Sequence, residues 1–269
     1  MCNLLGIPRS SYYEFINRKP SNLSKENELF KKEILAIYLE SHRRYGAPKI
    51  REKMQKKGYQ ISLKRTQRLM RKLRIKSITV KKFRPKGKSD DSFDADNLLK
   101  QDFSTKSKNE KWLTDITYIH TSNDHWCYLA SVIDCHTKEI IGHHFSKQMT
   151  SELAVKAVEN AYKNQKPKGI TIIHSDRGTQ YTSKKYRNTV KSLGLTVSYS
   201  AKGNPYDNAG IESFHSILKK EFVHHTTFKS YTDAKLALFK YIESWYNRER
   251  IHGSINYMTP HEYSSSLVA

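Results

Sequence analysis

"GITIIHSDRGTQYTS" (residues 169–183) opens as a β-branched run and closes on a histidine, a serine, an aspartate and Arg-Gly. The first half reads as a strand. His174, Ser175 and Asp176 then resemble a hydrolase triad compressed into three neighbours. Side chains on a strand alternate between its two faces, so His174 and Ser175 diverge. A nucleophile, its base and the group that orients the base must lie within hydrogen-bond reach. The chain also lacks a G-x-S-x-G elbow. Geometry excludes the triad. What remains is an aspartate at the carboxyl end of a strand, where open α/β sheets usually form their sites.

Outward from this stretch, "KWLTDITYIHT", "HWCYLASVIDCHT" and "KEIIGHHFS" read as three successive strands, with turns at "SND" and around 135–138. "TSELAVKAVENAYKNQ" is an amphipathic helix, "KGITIIHSD" a fourth strand, "SKKYRNTVKSLG" a helix and "LTVSYS" a fifth strand. Two further helices follow, "DNAGIESFHSILKKEFV" and "YTDAKLALFKYIESWYN", the latter apolar at Leu236, Phe239, Ile242 and Trp245. Three strands in succession, then alternating helix and strand, predict an α/β fold with a mixed five-stranded sheet and flanking helices.

Upstream the texture is different. "SKENELFKKEILAIYLES" (24–41) carries Leu29, Phe30, Ile34, Ile37 and Tyr38 at helical spacing. A second helix is predicted over 47–57, ended by Gly58. A third opens at the N-cap Ser62, with Leu63, Leu69, Met70 and Leu73 inward. Two short helices joined by "GYQIS" fit a helix-turn-helix, whose second helix enters a major groove. Lys64, Arg65, Gln67, Arg68, Arg71 and Lys72 on that helix, with Arg43 and Arg44 before it, are candidate DNA contacts. The whole chain holds 48 Lys and Arg against 26 Asp and Glu, a formal +22. Residues 41–88 carry nineteen of those cations and a single acid, Glu52. A basic block with helical periodicity points to a polyanion, most simply nucleic acid. The alternative is a three-helix packing module whose charge only solubilises it.

Composition bounds the rest. No stretch approaches 18 uninterrupted apolar residues, so no membrane span is predicted. "MCNLLGIPRSSYYEF" is too short and polar for a secretory signal. Cys2, Cys127 and Cys135 lack C-x-x-C spacing, which argues for a reducing compartment and against a zinc site or disulfide framework. The expected division is an N-terminal helical remnant (1–22), a basic helix-turn-helix domain (23–83) and a polar linker (84–110) with a short ordered piece around 98–103. A core (111–228) and its C-terminal helical extension (229–269) complete it.

Three acids stand out within the core. Asp115 lies mid-strand in "WLTDITYI", Asp176 at the end of the fourth strand, and Glu212 one turn into the "NAGIESF" helix. Strands deplete Asp, and buried charges are costly unless paired or metal-bound. Mg²⁺ takes oxygen ligands, typically a few carboxylates plus water and substrate phosphate. Two such ions about 4 Å apart activate an attacking hydroxyl and stabilise the leaving oxygen of a phosphodiester. Along the helix Glu212 and Lys219 differ by only about 20° around the axis. They share a polar stripe with Asn208 and His215, beside an apolar one of Ile211, Phe214, Leu218 and Phe222. The Lys219 ammonium suits phosphate. His174 and Arg177 flank Asp176 and are candidates to orient phosphate or water, although a turn alone accounts for Gly178. Asn247, Arg250 and His252 follow an apolar helix and fit capping and packing as readily as DNA contact.

These residues carry a resemblance. The chain is similar to the OrfB-type DDE transposases of the IS-three group of bacterial insertion sequences, relatives of retroviral integrases. The motifs are "WLTDITYI" with Asp115, "HSDRGTQYTS" with Asp176 and "KGNPYDNAGIESFHSILKKE" with Glu212. Thirty-five residues separate the last two acids, the D-D-35-E spacing of that family, and Lys219 matches its basic residue near the site. "YLASVIDCHTKEIIG", "WYNRERIHGSINYMTP" and the segment from "HRRYGAPKIREKM" to "RTQRLMRKLRI" match further, so the likeness spans about 41–260. Pro205-Tyr206 departs from the Cys-Trp of many relatives, and the retroviral H-H-C-C zinc module is absent from the sequence. Acids at the position of Asp134 are common in the family without being among its metal carboxylates, so Asp134 reads as structural.

The resemblance implies a ribonuclease-H-like core behind a small all-α helix-turn-helix domain. It also implies metal-dependent DNA cleavage and strand transfer. Asp115, Asp176 and Glu212 would hold two Mg²⁺, with Mn²⁺ able to substitute, and no covalent protein–DNA intermediate is required. Implied partners are the terminal repeats of an insertion sequence, target DNA and further copies of the chain on paired ends. The start, "NLLGIPRSSYYEF", reads like the tail of a helical unit, which suggests fusion or association with an upstream-frame helix-turn-helix protein. A bacterial cytoplasmic, nucleoid-associated location follows. Two rivals stay open: a nuclease that only hydrolyses, and a non-catalytic DNA-binding regulator.

Overall fold

The computed structural model describes residues 2, 6–79, 97–201 and 205–267, which divide into two compact units, Met1–Ile78 and Thr79–Ala269. Residues 80–83 of the expected basic domain, 84–96 of the expected linker and 202–204 of the third motif lie outside the described residues.

The first unit contains helices α1 (Arg9–Asn17), α2 (Asn22–Glu40), α3 (Ala47–Lys56) and α4 (Leu63–Lys72). Ser62 caps α4 by accepting from the Arg65 N–H at 3.2 Å, which satisfies one of the helix's orphan donors. Phe30, Ile34, Ile37 and Tyr38 of α2 are buried with Ile50, Met54, Leu69 and Met70. Leu29, one of the apolar residues at helical spacing, is 46% exposed. It lies about 100° around the helix from Phe30, off the Phe30–Ile34–Ile37 stripe. Thr66 takes an unexpected core place, its hydroxyl donating back to the Ser62 carbonyl at 3.0 Å.

In the second unit β1 (Lys111–Thr121), β2 (His125–Asp134) and β3 (Ile140–Ser146) form an antiparallel meander. After α5 (Ser151–Gln165) come β4 (Ile172–Ser175), the single turn α6 (Thr179–Thr182), α7 (Lys184–Ser192) and β5 (Thr196–Tyr199). β4 and β5 run parallel to β1, giving the sheet order β3-β2-β1-β4-β5. This is the mixed sheet expected, in a ribonuclease-H-like order. The alanine-rich face of α5 (Ala154, Ala157, Ala161) packs with Trp112, Ala130 and Val132 of the sheet. Gly142 permits that contact, since a Cβ there would lie 2.4 Å from the Ala157 carbonyl oxygen.

The chain continues through a 3-10 turn (Pro205–Asn208), α8 (Ala209–Glu221), α9 (Tyr231–Phe239), a π-helical stretch (Lys240–Glu249) and α10 (Pro260–Ser266). Asn247 pins this end to β3, donating to the Ile140 carbonyl and accepting from its N–H, both at 3.0 Å. Ile242 and Trp245 are buried as expected, whereas Leu236 and Phe239 are 56% and 53% exposed. A spacing of three residues drifts about 60° per step around a helix, so those four positions cannot share one face. The ordered piece near 98–103 is present as a turn, tied to β5 by the Leu98 N–H donating to Ser198 Oγ at 3.0 Å. Among the described residues no helix is long and apolar enough to cross a membrane.

Candidate active site

The register of the parallel strands brings the first two acids together. Leu113 of β1 stands opposite His174 of β4, and two residues further along each chain lie Asp115 and Asp176. β4 pairs with β1 only through Lys111–Leu113, and beyond them, among the described residues, that edge of β1 meets no further strand until an isolated bridge joins Thr121 to Phe228. The start of α8 closes it. Asn208 donates to the Thr114 carbonyl at 3.2 Å, and Gly210 comes so near that a Cβ would meet Leu113 Cδ1 at 2.5 Å. Glu212, two residues later, is thereby delivered to the same edge.

Asp115 is held on both oxygens. Oδ1 accepts from the Ile116 N–H at 2.8 Å, and Oδ2 lies 3.2 Å from His215 Nδ1. The Gly178 N–H donates to Asp176 Oδ1 at 3.0 Å. Asp176 and Glu212 are exposed residues, yet the carboxyl group of each responds to its neighbours. Loss of hydration, then the Asp115 charge, pushes the Asp176 carboxyl above its ordinary range, against the Gly178 N–H. Burial and the charge of Asp115 likewise raise Glu212, with His215 opposing. Burial lowers the Lys219 ammonium, and Asp115 works against that shift. Asp115 is the common member of all three couplings. Among the described residues no three His, Cys, Asp or Glu side chains are drawn together tightly enough to hold an ion as they stand. The acids form an open cluster of hard oxygen donors that repel one another, a donor set suited to a divalent cation.

Several sequence candidates lie elsewhere. His174 is fully buried, with Nδ1 2.8 Å from Ser198 Oγ and Nε2 3.1 Å from Ser200 Oγ, so neither nitrogen is left for phosphate or water. Asn208 is buried at the β1 edge. Arg250 is buried against Glu221, with Nη2 2.9 Å from Oε1 and Nε 3.0 Å from Oε2, and His252 packs beside it. The pair fastens the far end of α8, which is a packing role. Arg177 reaches sideways, its Nε donating to the Ser200 carbonyl at 2.8 Å. Asp134 spends its oxygens on the turn that follows β2 and on the Asn109 N–H. In the first unit Lys64, Arg68, Arg71 and Lys72 stand exposed along α4, Arg43 is exposed and Arg44 half-buried. Arg65 turns inward instead. Its guanidinium lies 4.5 Å above the Phe30 ring and binds Asn27 and Glu26.

Sequence reading gave no role to His215 or to Asp207. Asp207 is buried and accepts from the Ala201 N–H and Asn97 Nδ2, bracing the approach to α8. For His215 the signal was its place on the Glu212 stripe; no local pattern announces Asp207.

Residues 24–83 match the HTH-like domain family, and residues 105–205 and 193–260 match two integrase core domain families. The chain is similar to the insertion element IS600 uncharacterized 31 kDa protein of Shigella sonnei, at 36% identity over 97% of this chain and 96% of that protein. It is 34% identical to the transposase InsF for insertion sequence IS3A of Escherichia coli strain K12, over 100% of this chain and 94% of that protein. Among solved structures, the catalytic core domain of BIV integrase aligns with 60% of this chain and 96% of that one, at 19% identity and a TM-score of 0.43.

Proposed function

The chain belongs to the IS3 family of insertion-sequence transposases, polynucleotidyl transferases that cleave DNA and join strands, and we propose that Asp115, Asp176 and Glu212 carry this chemistry. The assignment is supported above all by one observation: a mid-strand acid, a strand-end acid and a first-turn helix acid lie along the same edge of β1, just beyond its pairing with β4, and the latter two both feel the Asp115 charge.

Integrase-core chemistry depends on a divalent cation. Two ions held by these carboxylates, Mg²⁺ or Mn²⁺, would activate the attacking oxygen and steady the leaving one. The chain's own backbone and side chains would prepare the site for them. The Ile116 N–H and His215 fix the Asp115 carboxylate in one orientation, and the Gly178 N–H steadies Asp176. Lys219 offers an ammonium to the backbone phosphate of bound DNA. Water attacking in line frees a 3′-hydroxyl. That hydroxyl attacking a second phosphodiester joins the strands, one P–O bond forming as another breaks. The substrates are the element's terminal repeats and the target duplex, gripped by the exposed stripe of α4. Coordinated joining of two ends calls for more than one copy of the chain, and association with an upstream-frame helix-turn-helix protein is part of the same reading.

A strand-transfer assay on labelled duplex ends tests it. Asp176→Asn is expected to abolish joined product while leaving duplex affinity largely intact. Undiminished joining by the variant removes the carboxylate assignment. Fragments without joined product from the unaltered chain identify a hydrolytic nuclease instead.

A further inference from the structure

One face of the β1–β2 hairpin is paved with rings. Tyr118 stands opposite Tyr128, and His120 opposite Trp126. Ring centroids are 5.3 Å apart for Tyr118–Tyr128, 6.4 Å for Tyr118–Trp126 and 5.1 Å for His120–Trp126, all edge to face. Tyr118 is 47% exposed and Trp126 55%. A contiguous aromatic surface of this kind left open on a folded domain marks a binding site more often than a lone ring does. Tyr118, His120 and Trp126 also form one wall of a cavity of about 400 Å³, whose other wall includes Lys219, His224 and Phe228. Lys219 belongs to α8, seven residues or about 10 Å beyond Glu212 on the same helical stripe, and so ties the cavity to the helix that carries the third acid.

We propose that this platform binds one unstacked nucleotide of the DNA strand being processed, its base lying on Tyr118 and Trp126 and its phosphate turned toward Lys219 and His224. Every base has a π-face, so stacking on exposed aromatics holds single-stranded nucleic acid without regard to sequence. The cavity lies within the size range of small-ligand sites. Its charge favours this occupant over a second copy of the chain. A two-fold contact through this face would bring the Lys219 ammonium toward its own duplicate, whereas a nucleotide brings the opposite charge. The inference rests on the transposase reading for which strand is bound, but its test does not depend on catalysis.

Trp126 is its own reporter, because Trp112 is fully buried and Trp245 is 5% exposed. The 269-residue chain is titrated with a mixed-sequence single-stranded oligonucleotide in EDTA, following tryptophan emission and the anisotropy of a labelled strand together. The expected result is saturable quenching that disappears in Trp126→Phe. Tyr118→Ala should weaken binding roughly tenfold, and Tyr118→Phe should restore it. Several outcomes overturn the proposal: no binding of the single strand, binding without a change in Trp126 emission, or quenching undiminished in Tyr118→Ala. An emission change that tracks protein concentration without DNA overturns it too and assigns the face to a second copy. Quenching in a chain that cannot join strands sinks only the catalytic assignment. Joining without quenching sinks only the platform.

Discussion

The two nitrogens of His174 meet two hydroxyls in opposite roles. Ser198 Oγ accepts the Leu98 N–H and can donate to Nδ1, while Ser200 Oγ donates to the Ser175 carbonyl and can accept from Nε2–H. That chain of bonds suits a neutral ring and leaves no acceptor for a second ring proton. Burial accordingly lowers the His174 pKa to about 4, from an ordinary 6.5. Between those values the unfolded chain holds a proton that the native chain does not, so stability rises with pH through this window and is lost on acidification. Moving from pH 7 to pH 5 should remove roughly 2 kcal/mol through this residue alone. Urea unfolding at both pH values, in the unaltered chain and in His174→Gln, measures it. An equal acid loss in the two proteins would mean that the imidazole is not held neutral. The sequence placed His174 beside Asp176; only the sheet sends its ring into the core.

At the scale of elements, α8 decides whether the third acid reaches the other two. Its first turn is seated on β1 by Gly210 and Asn208, and its last turn is held by the Glu221–Arg250 pair. Leu113 is 1% exposed and has little room to yield to a new methyl group. Gly210→Ala should therefore lower stability by about 1–3 kcal/mol, as overpacking does, and displace Glu212 from the β1 edge. Thermal unfolding and the strand-transfer assay should both respond. A variant that joins strands normally would show that α8 tolerates the shift. The amphipathic pattern of this helix was legible in the sequence, down to the neighbouring stripe of Ile211, Phe214 and Leu218. The strand beneath it was not, because the contact joins residues about a hundred positions apart.

Taken whole, the molecule divides its charge unevenly, with an exposed stripe of Lys64, Arg68, Arg71 and Lys72 on α4. Each cation that neutralises a DNA phosphate releases counterions, and the slope of log affinity against log salt counts them at about 0.9 per phosphate. Replacing Arg68 and Arg71 together by Ala should weaken duplex binding and flatten that slope by about two. Asp176→Asn should leave the slope unchanged. Filter binding across a salt series reads both, and an unaltered slope in the double variant would remove α4 from the interface. Arg65 looks equivalent to its neighbours in sequence, yet it stacks on Phe30 and lies outside this prediction.

The order of the strands and main helices, the position of each acid along the chain and the basic character of the first unit were determined by the sequence. The change from α9 to a π-helical stretch at Lys240 was not. Periodicity, capping and charge are local, and they act within a few residues. Only the tertiary structure decided which groups meet. The parallel register of β1 and β4 brings Asp115 beside Asp176, and the Gly210 contact adds Glu212. The same long-range packing buries His174, Asn208, Arg250 and His252, while it leaves Tyr118 and Trp126 in the open. Burial and proximity belong to pairs of residues distant in the chain, and no local pattern encodes them.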